Sequence, residues 1–538
     1  MKFKSLWDIF SEENADNPPN TCIRPIILII IFGFALRLFV CQYTYIINSD
    51  GTIYIHQARA IYYGLWPAVN SCSSVNYLSI YPILIAAIYP VLGNWVASAE
   101  TVSIFFGTIV LIPLYLLAKR FFEAKISILI TLIFALTPIF VTVSVYVARD
   151  PVYWFFLVLG LYLFTGQTGQ KNFRGLFLSS ICFILATWAR IEGILYIVVS
   201  CLYLLLIKEE KKFKRLAIFL LPPAFLLFFF IVGQMIFNPC DINLYRLEDI
   251  PSRLHTLTSQ YQGVRVHLQE LISHPPEGIP SGFFDNTYTL FWFVALGTIM
   301  QNAIEAFFYP FFLIFIIGLM GRDTWVKIRE EKNVRYFAII AASAVVLLYL
   351  YVFAYWEMQN RWFALLIFPS FIFTGFGLEK IIPFLKSKFR LKEHLVLSLV
   401  VLAIMVSALP KNLSPKEVDK LIFKEIGESM ARIEGNSQEI KVLTLGNSAR
   451  WIAFYANLHF KGAPCPDKYN NYGEIVGKSY EQFVRNLRTR GIQYVVLEET
   501  KWPPCSFDFV DLLNGKDFII LGEWSHPDTG RVILLKLL

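Results

Sequence analysis

The chain has 538 residues, of which 56% are hydrophobic and 16% charged, with a formal net charge of +8. Soluble globular domains are typically about 45–50% apolar and about 25% charged, and single cores stop growing at about 250–300 residues, so one large soluble domain is excluded. The positive charge does not indicate nucleic-acid binding, because the basic residues lie in short loops between apolar runs. The composition indicates an integral membrane protein with many spans.

Residues 1–24 are polar, and the first apolar run is long enough to span, so a cleaved signal peptide is not expected. The apolar runs predict a polytopic α-helical membrane protein with about eleven transmembrane helices in residues 25–410. Segments 48–98 and 238–290 are predicted to be outer loops over a site. The runs cover about 25–47, 100–118, 124–147, 151–166, 175–189, 192–207, 216–237, 297–320, 336–356, 362–379 and 394–409.

The charges of the loops orient the predicted spans. One set of loops is rich in lysine and arginine, whereas the alternate loops carry far fewer. Because positive loops stay in the cytoplasm, the N-terminus is expected inside, and an odd number of spans places residues 411–538 outside. The basic residues of the first set include Lys119, Arg120, Lys125, Lys171, Arg174, Lys208, Lys211, Lys212, Lys214, Arg215, Arg322, Lys327, Arg329, Lys386 and Lys388.

Residues 411–538 alternate between helical and strand-like segments, which predicts a small extracytoplasmic α/β domain. Its first strand is not followed by G-x-G-x-x-G, so a dinucleotide site is not expected. Four cysteines fall on the predicted outside, where a disulfide such as Cys465–Cys505 or free thiols are both open. These four cysteines are Cys72, Cys240, Cys465 and Cys505. No pair of cysteines in the sequence has the C-x-x-C spacing of a zinc site.

Charged residues recur where the predicted spans meet the outer face. Charge at membrane depth is costly and usually faces the bundle interior or a water-filled cavity, although helix ends at the interface also tolerate it. A carboxylate can act as general base toward a hydroxyl, and arginines can hold a phosphate, so the set suits a lipid-linked phosphate substrate. The residues are Asp50, Arg149, Asp150, Arg190, Glu192, Glu357 and Arg361.

Motifs along residues 25–380 resemble those of the GT-C glycosyltransferases, most closely relatives of the protein O-mannosyltransferases and aminoarabinose transferases. This resemblance implies an inverting transfer of a monosaccharide from a polyprenyl-phosphate donor to a hydroxyl of a protein, lipid or glycan. The motifs are Arg37 in Ala35-Leu36-Arg37-Leu38, Asp50-Gly51-Thr52-Ile53-Tyr54, Tyr81-Pro82, Arg149-Asp150-Pro151, Arg190-Ile191-Glu192-Gly193, and Arg361 with Pro369 and Gly375.

The resemblance also implies roles for these residues. Asp50 would be the catalytic base, Asp150 would support the site, and Arg361 and Arg190 would contact the lipid phosphate. The chain departs from many relatives in carrying Gly51, where they have a second acid, which argues against a paired-carboxylate or metal-binding role there. The remaining substrate-site candidates are Glu192, Arg149, Tyr54 and Arg37.

The sequence does not identify a cofactor. A divalent cation is one alternative, and no residue is assigned as a metal ligand. The expected partners are the lipid-linked donor, the acceptor and membrane lipids, without nucleic acid, in a cell (inner or plasma) membrane. Two other functions are open, a transporter or lipid flippase and a membrane-anchored binding protein. A transporter would be expected to show inverted repeats and charges near the bilayer midplane.

Overall fold

The computed structural model describes residues 20–72, 75, 77–166, 173–207, 211–236, 249–444, 448–467, 475–476, 479–501, 507 and 516–538. Most of the predicted N-terminal segment 1–24, together with Cys240 and Cys505, lies outside these residues. The helices before the C-terminal region are α1 (Asn20–Gln42), α2 (Ser49–Tyr62), α3 (Trp66–Val69), α4 (Ile80–Leu92), α5 (Trp95–Ile109), α6 (Leu111–Ala118), α7 (Ala124–Leu136), α8 (Pro138–Val145), α9 (Asp150–Thr165), α10 (Arg174–Ala189), α11 (Ile194–Leu206), α12 (Lys212–Ile236), α13 (Asp249–Ser273), α14 (Ser281–Phe307), α15 (Tyr309–Leu319), α16 (Arg322–Glu330), α17 (Lys332–Tyr355), α18 (Ala364–Ile367), α19 (Phe371–Phe389) and α20 (Glu393–Leu413).

Five helical segments in the described part of the chain are long and apolar enough to cross a membrane: α1, α5 with α6, α14, α17 and α20. The number rises to seven if two bent pairs each count as one span. The predicted count of about eleven is therefore not confirmed. Several predicted spans are apolar helices of 10–17 residues, which at about 1.5 Å per residue are shorter than a bilayer core of about 30 Å.

Breaks divide some of the runs that the sequence predicts as single helices. The run 124–147 bends by 52° between α7 and α8, where Pro138 lacks an N–H and begins the second helix. The run 297–320 is likewise two helices, because Phe308 has a φ of +69° between α14 and α15. The run 362–379 is bent by 73° between α18 and α19.

The segments predicted as outer loops are largely helical in their described parts. Segment 48–98 contains α2, α3 and α4, and segment 238–290 contains α13 and the start of α14. In α13, Tyr261, Val264 and Leu268 pack against the core. Their spacing of three and four residues is typical of one face of an amphipathic helix, a pattern that the polar composition of the segment obscured.

The C-terminal region, residues 421–538, contains a four-stranded sheet of order β1-β2-β4-β3. Strands β1 and β2 are parallel, and the other pairs are antiparallel. Most predicted elements of this region agree with the structure to within a few residues. They are α21 (Leu421–Glu434), β1 (Val442–Leu443), α22 (Ser448–Ala456), α23 (Tyr480–Arg490), β2 (Tyr494–Glu498), β3 (Phe518–His526) and β4 (Gly530–Leu537).

Both faces of strand β2, in the middle of this sheet, are covered. In β2, Tyr494 and Val496 belong to the core that continues into the helical bundle, whereas Val495 and Leu497 belong to a smaller core with α23. Successive side chains of a strand point to opposite faces, so the sheet lies between the two cores. The C-terminal region therefore packs directly on the bundle, and its residues can take part in a site there.

Candidate active site

Asp50 lies in the first turn of α2, after the first long apolar helix. The positive end of a helix dipole favours a carboxylate at this position. A Cβ built on Gly51 would lie 2.8 Å from the Cβ of Val147 and 3.0 Å from its carbonyl oxygen. Because carbon atoms normally pack at about 3.5–4.0 Å, only glycine allows the start of α2 to lie this close to the segment before α9.

Two guanidinium groups lie on either side of the Asp50 carboxylate. Arg361, in the 3₁₀ turn between α17 and α18, donates from Nη2 to Oδ2 of Asp50 at 2.7 Å. Nη1 of Arg450, from α22, lies 3.7 Å from Oδ1. Burial raises the pKa of Asp50, but Arg361, Arg149 and Arg450 outweigh this effect and hold the pKa below its ordinary value. Asp50 is therefore an ionised carboxylate at neutral pH, with 32% of its side chain exposed.

Arg190 is held by two carboxylates. It donates from Nη1 to Asp150, at the start of α9, and from Nη2 to Glu192 at 3.1 Å. The side chains of all three are almost completely buried. Because buried charges are stable only when paired, this triad is a fixed element of the structure.

Arg149 lies over two aromatic rings. Its guanidinium carbon is 5.7 Å from the centre of the Tyr54 ring and 5.2 Å from that of Tyr77, and it also donates to the Tyr77 hydroxyl. Tyr54 in turn packs edge-to-face on Tyr81 at 5.6 Å. These rings support a guanidinium close enough to Asp50 to interact with it electrostatically.

A small cavity is lined by Arg190 and Glu192 of the triad and by Arg361, the partner of Asp50. Tyr153 and Trp362 also line it. The structure thus brings together seven of the eight predicted site residues. Their mixture of one accessible carboxylate and several guanidinium groups can accept a proton and bind an anion at neighbouring positions.

Arg37 lies apart from this cluster. Its side chain is buried, and Nη1 donates to the carbonyl oxygens of Gly33 at 3.0 Å and Ala135 at 3.4 Å. These contacts join α1 to α7. The substrate-binding role of Arg37 stays a prediction that its described contacts do not support.

Sequence analysis missed Arg450 and its partner Asp467. Nε of Arg450 donates to Oδ1 of Asp467 at 2.6 Å, and the Asp467 side chain is only 3% exposed. The available signal was a single charge in an otherwise mostly apolar segment, residues 449–457. That signal could not identify a residue 400 positions away as its neighbour.

Of the two alternatives left open for the outer cysteines, a disulfide is present, but Cys465 is bonded to Cys72 and not to Cys505, the partner given as an example. Cys72 follows α3, and the bond joins that segment to the stretch after α22. Sequence alone could not choose among the outer cysteines, since pairing depends on Cα atoms lying within about 4.4–6.8 Å. Here they are 5.4 Å apart. The backbone N–H of Asp467 lies 3.3 Å from Cys465 Sγ, so the bond adjoins the carboxylate that holds Arg450.

Among the residues that the structure describes, two groups have the composition of a metal site. One consists of the two disulfide-bonded cysteines and Asp467, so its sulfurs are not available as thiolates. The other is Asp419, His526 and Asp528 in the C-terminal region. Neither group includes Asp50, and the histidines of α13 belong to neither.

The sequence of residues 80–235 matches the model of a family described as dolichyl-phosphate-mannose-protein mannosyltransferase. This range contains the Arg149-Asp150 motif and the Arg190–Glu192 turn. No curated protein sequence matches the chain.

Solved structures are similar over nearly the whole chain. ArnT from Cupriavidus metallidurans in the apo state has a TM-score of 0.58 and 12% identity, with coverage of 95% of this chain and 97% of ArnT. The same protein bound to undecaprenyl phosphate has a TM-score of 0.58, 11% identity and the same coverage. The oligosaccharyltransferase AglB from Archaeoglobus fulgidus, in complex with an inhibitory peptide and a dolichol-phosphate, has a TM-score of 0.52 and 11% identity, covering 94% of this chain and 74% of AglB.

At these identities the structural likeness establishes the fold. The chain has a largely helical membrane-protein fold of the ArnT and AglB type, with a small C-terminal sheet. The resemblance to the GT-C glycosyltransferases that the motifs predict is confirmed by the family match and by these structures.

Proposed function

We propose that this chain is an inverting glycosyltransferase that moves a monosaccharide from a polyprenyl-phosphate donor to a hydroxyl of a protein, lipid or glycan. The observation that carries the proposal is the Asp50 carboxylate, which is partly exposed and lies between the guanidinium groups of Arg361 and Arg450. Arg361 also lines a small cavity. The similar structures of ArnT with undecaprenyl phosphate and AglB with dolichol-phosphate support the class of donor.

The reaction needs a base and a group that stabilises the departing phosphate. Asp50 takes the proton of the acceptor hydroxyl as its oxygen attacks the anomeric carbon, and the bond from that carbon to the phosphate oxygen breaks. Arg361 stabilises the negative charge that develops on the lipid phosphate. Arg149 adds positive potential at Asp50, and Arg190, fixed by its two carboxylates, lines the same cavity as Arg361.

A metal ion has no step in this proposal. A similar structure of the Archaeoglobus fulgidus oligosaccharyltransferase contains Zn and sulfate. In this chain, the residue after Asp50 is Gly51, and the contact with Val147 leaves no room there for a second carboxylate. The Asp50-Gly51 motif therefore offers one acidic ligand, which suits a base better than a metal site.

The proposed orientation has the N-terminus in the cytoplasm, with the site and residues 411–538 on the outside of a cell membrane. The basic loops support it through the positive-inside rule. The disulfide Cys72–Cys465 also supports it, because such bonds persist in oxidising compartments and are rare in the cytosol. The transporter alternative is not favoured, because the family match and the similar structures named above are transferases.

The test is transfer of a labelled sugar from polyprenyl-phosphate donors by purified protein in liposomes, comparing wild type with Asp50→Asn. General-base catalysis typically contributes about 10²–10⁴-fold, so a loss of this size is expected while the variant keeps its melting temperature. Asp323→Asn is the matched control, because Asp323 is an exposed carboxylate in the first turn of α16. Full activity of Asp50→Asn would remove the base assignment, and no transfer by wild type from any donor would contradict the proposed function.

A further inference from the structure

Arg450 reaches the site from the C-terminal region, whereas Asp50 and Arg361 come from the helical bundle. Its Nε donates to Asp467 at 2.6 Å, and its Nη1 lies 3.4 Å from the Ser49 hydroxyl and 3.7 Å from Asp50. The Arg450 side chain is 19% exposed. It is thus a partly accessible guanidinium group oriented by a buried carboxylate.

Contacts other than those of Arg450 attach the C-terminal region to the bundle. The indole N–H of Trp451 donates to the carbonyl oxygen of Ile47 at 2.7 Å. Arg59, buried in α2, donates to the carbonyl oxygen of Asn457 at 2.9 Å, and the disulfide adds a covalent link. The contacts of Arg450 with α2 are longer than these, so they point to a role other than docking.

The position of Arg450 completes an arrangement suited to an anion with several oxygens. Arg361 faces Oδ2 of Asp50, and Arg450 faces Oδ1, so each guanidinium addresses a different oxygen of one carboxylate. Guanidinium groups bind phosphate oxygens with the same planar donor geometry that they use toward carboxylates. The pair that holds Asp50 is therefore also a pair of donors for a phosphate.

We propose that Arg450 is a binding residue for the phosphate of the lipid-linked donor, acting together with Arg361. This inference rests on the proposed function, which supplies the class of donor. On binding, both guanidinium groups turn from Asp50 to the phosphate oxygens, and Asp50 is released toward the acceptor hydroxyl. Asp467 keeps its hydrogen bond to Nε, so Arg450 stays aimed at the site while its terminal nitrogens change partner.

Direct binding of undecaprenyl phosphate to the purified full-length protein tests this role separately from catalysis. Hydrogen bonds to charged groups have strengths that correspond to about 10–100-fold in affinity, so Arg450→Gln is expected to raise the Kd by that factor. Arg450→Lys keeps the charge and should lose less. Arg531→Gln is the matched control, because Arg531 is an exposed arginine of the same region paired with Glu523, and its Kd should equal that of wild type.

Transfer kinetics and thermal unfolding complete the experiment. The KM for the donor is expected to rise in Arg450→Gln, with a smaller change of kcat at saturating donor and an unchanged melting temperature. A Kd within twofold of wild type, or a lower melting temperature and kcat with an unchanged Kd, would overturn the assignment. If Arg450→Gln does not fold, the same measurements are made on Arg450→Lys, for which a smaller rise of the Kd is expected. Wild type that binds no undecaprenyl phosphate would refute the proposed donor class itself, whereas binding and transfer that are indifferent to Arg450 would refute this inference alone.

Discussion

Replacing Gly51 with alanine is expected to lower the transfer rate about 100-fold. The new Cβ would lie 2.6 Å from Oδ1 of Asn48 and 2.8 Å from the Cβ of Val147. Since carbon atoms pack at about 3.5–4.0 Å, the start of α2 has to move by about 0.7–1.2 Å. Asp50 is the adjacent residue, and a misplacement of about 1 Å at a catalytic group costs about 10²-fold.

The assay is sugar transfer in liposomes at saturating donor, with thermal unfolding measured in parallel, because overpacking alone costs about 1–3 kcal/mol. The matched control is Gly263→Ala in α13, where a Cβ would meet nothing within 4 Å. It should keep the activity of wild type. Activity of Gly51→Ala within a few-fold of wild type would show that the contact with Val147 does not position Asp50, and a more active Gly51→Asp would show that the motif accepts a second acid.

Two further predictions concern the electrostatics and the covalent link of the site. Asp50 is ionised above its lowered pKa, so kcat/KM should be lost only as the pH falls below the ordinary pKa range of an aspartic acid. Arg361→Gln removes the nearest cation and should move this acid limb to higher pH, and an unmoved limb would contradict the pairing. Replacing Cys72 and Cys465 with serine should lower the free energy of unfolding by about 2–4 kcal/mol, which would appear as a lower temperature of thermal inactivation in detergent. Dithiothreitol should destabilise wild type but not the variant. Equal stability of the two proteins would count against the bond.

The charged end of the bundle could be predicted because each of its residues follows or precedes a long apolar run. Asp50, Arg190 and Arg361 stand out against such runs, and the cost of isolated charge at membrane depth indicates that they face one another. The actual partners could not be predicted. Arg361 pairs with Asp50 across 311 positions, and several pairings of the same charges were equally compatible with the sequence.

The length of a helix was also less predictable than its existence. An apolar run such as 297–320 is continuous in composition, yet Phe308 adopts a positive φ and divides it. In contrast, α2 is polar in composition, although its residues from Gly51 to Ala60 are buried. Hydropathy reports the preference of side chains for lipid or water, whereas this helix is surrounded by protein. There the side-chain Nε2 of Gln57 donates to the carbonyl oxygens of Val69 and Tyr77.

The disulfide and the contact of Arg450 with α2 have a consequence for the order in which the molecule is made. Ser49 and Arg450 are 401 residues apart, and Cys72 and Cys465 are 393 apart. At about 5–20 residues per second, the ribosome needs about 20–80 s to add the stretch between them. During that time the first helices can already be in the membrane with Asp50 in place. The cluster therefore becomes complete only when the end of the chain arrives, and a nascent or truncated chain holds Asp50 without the guanidinium group of Arg450.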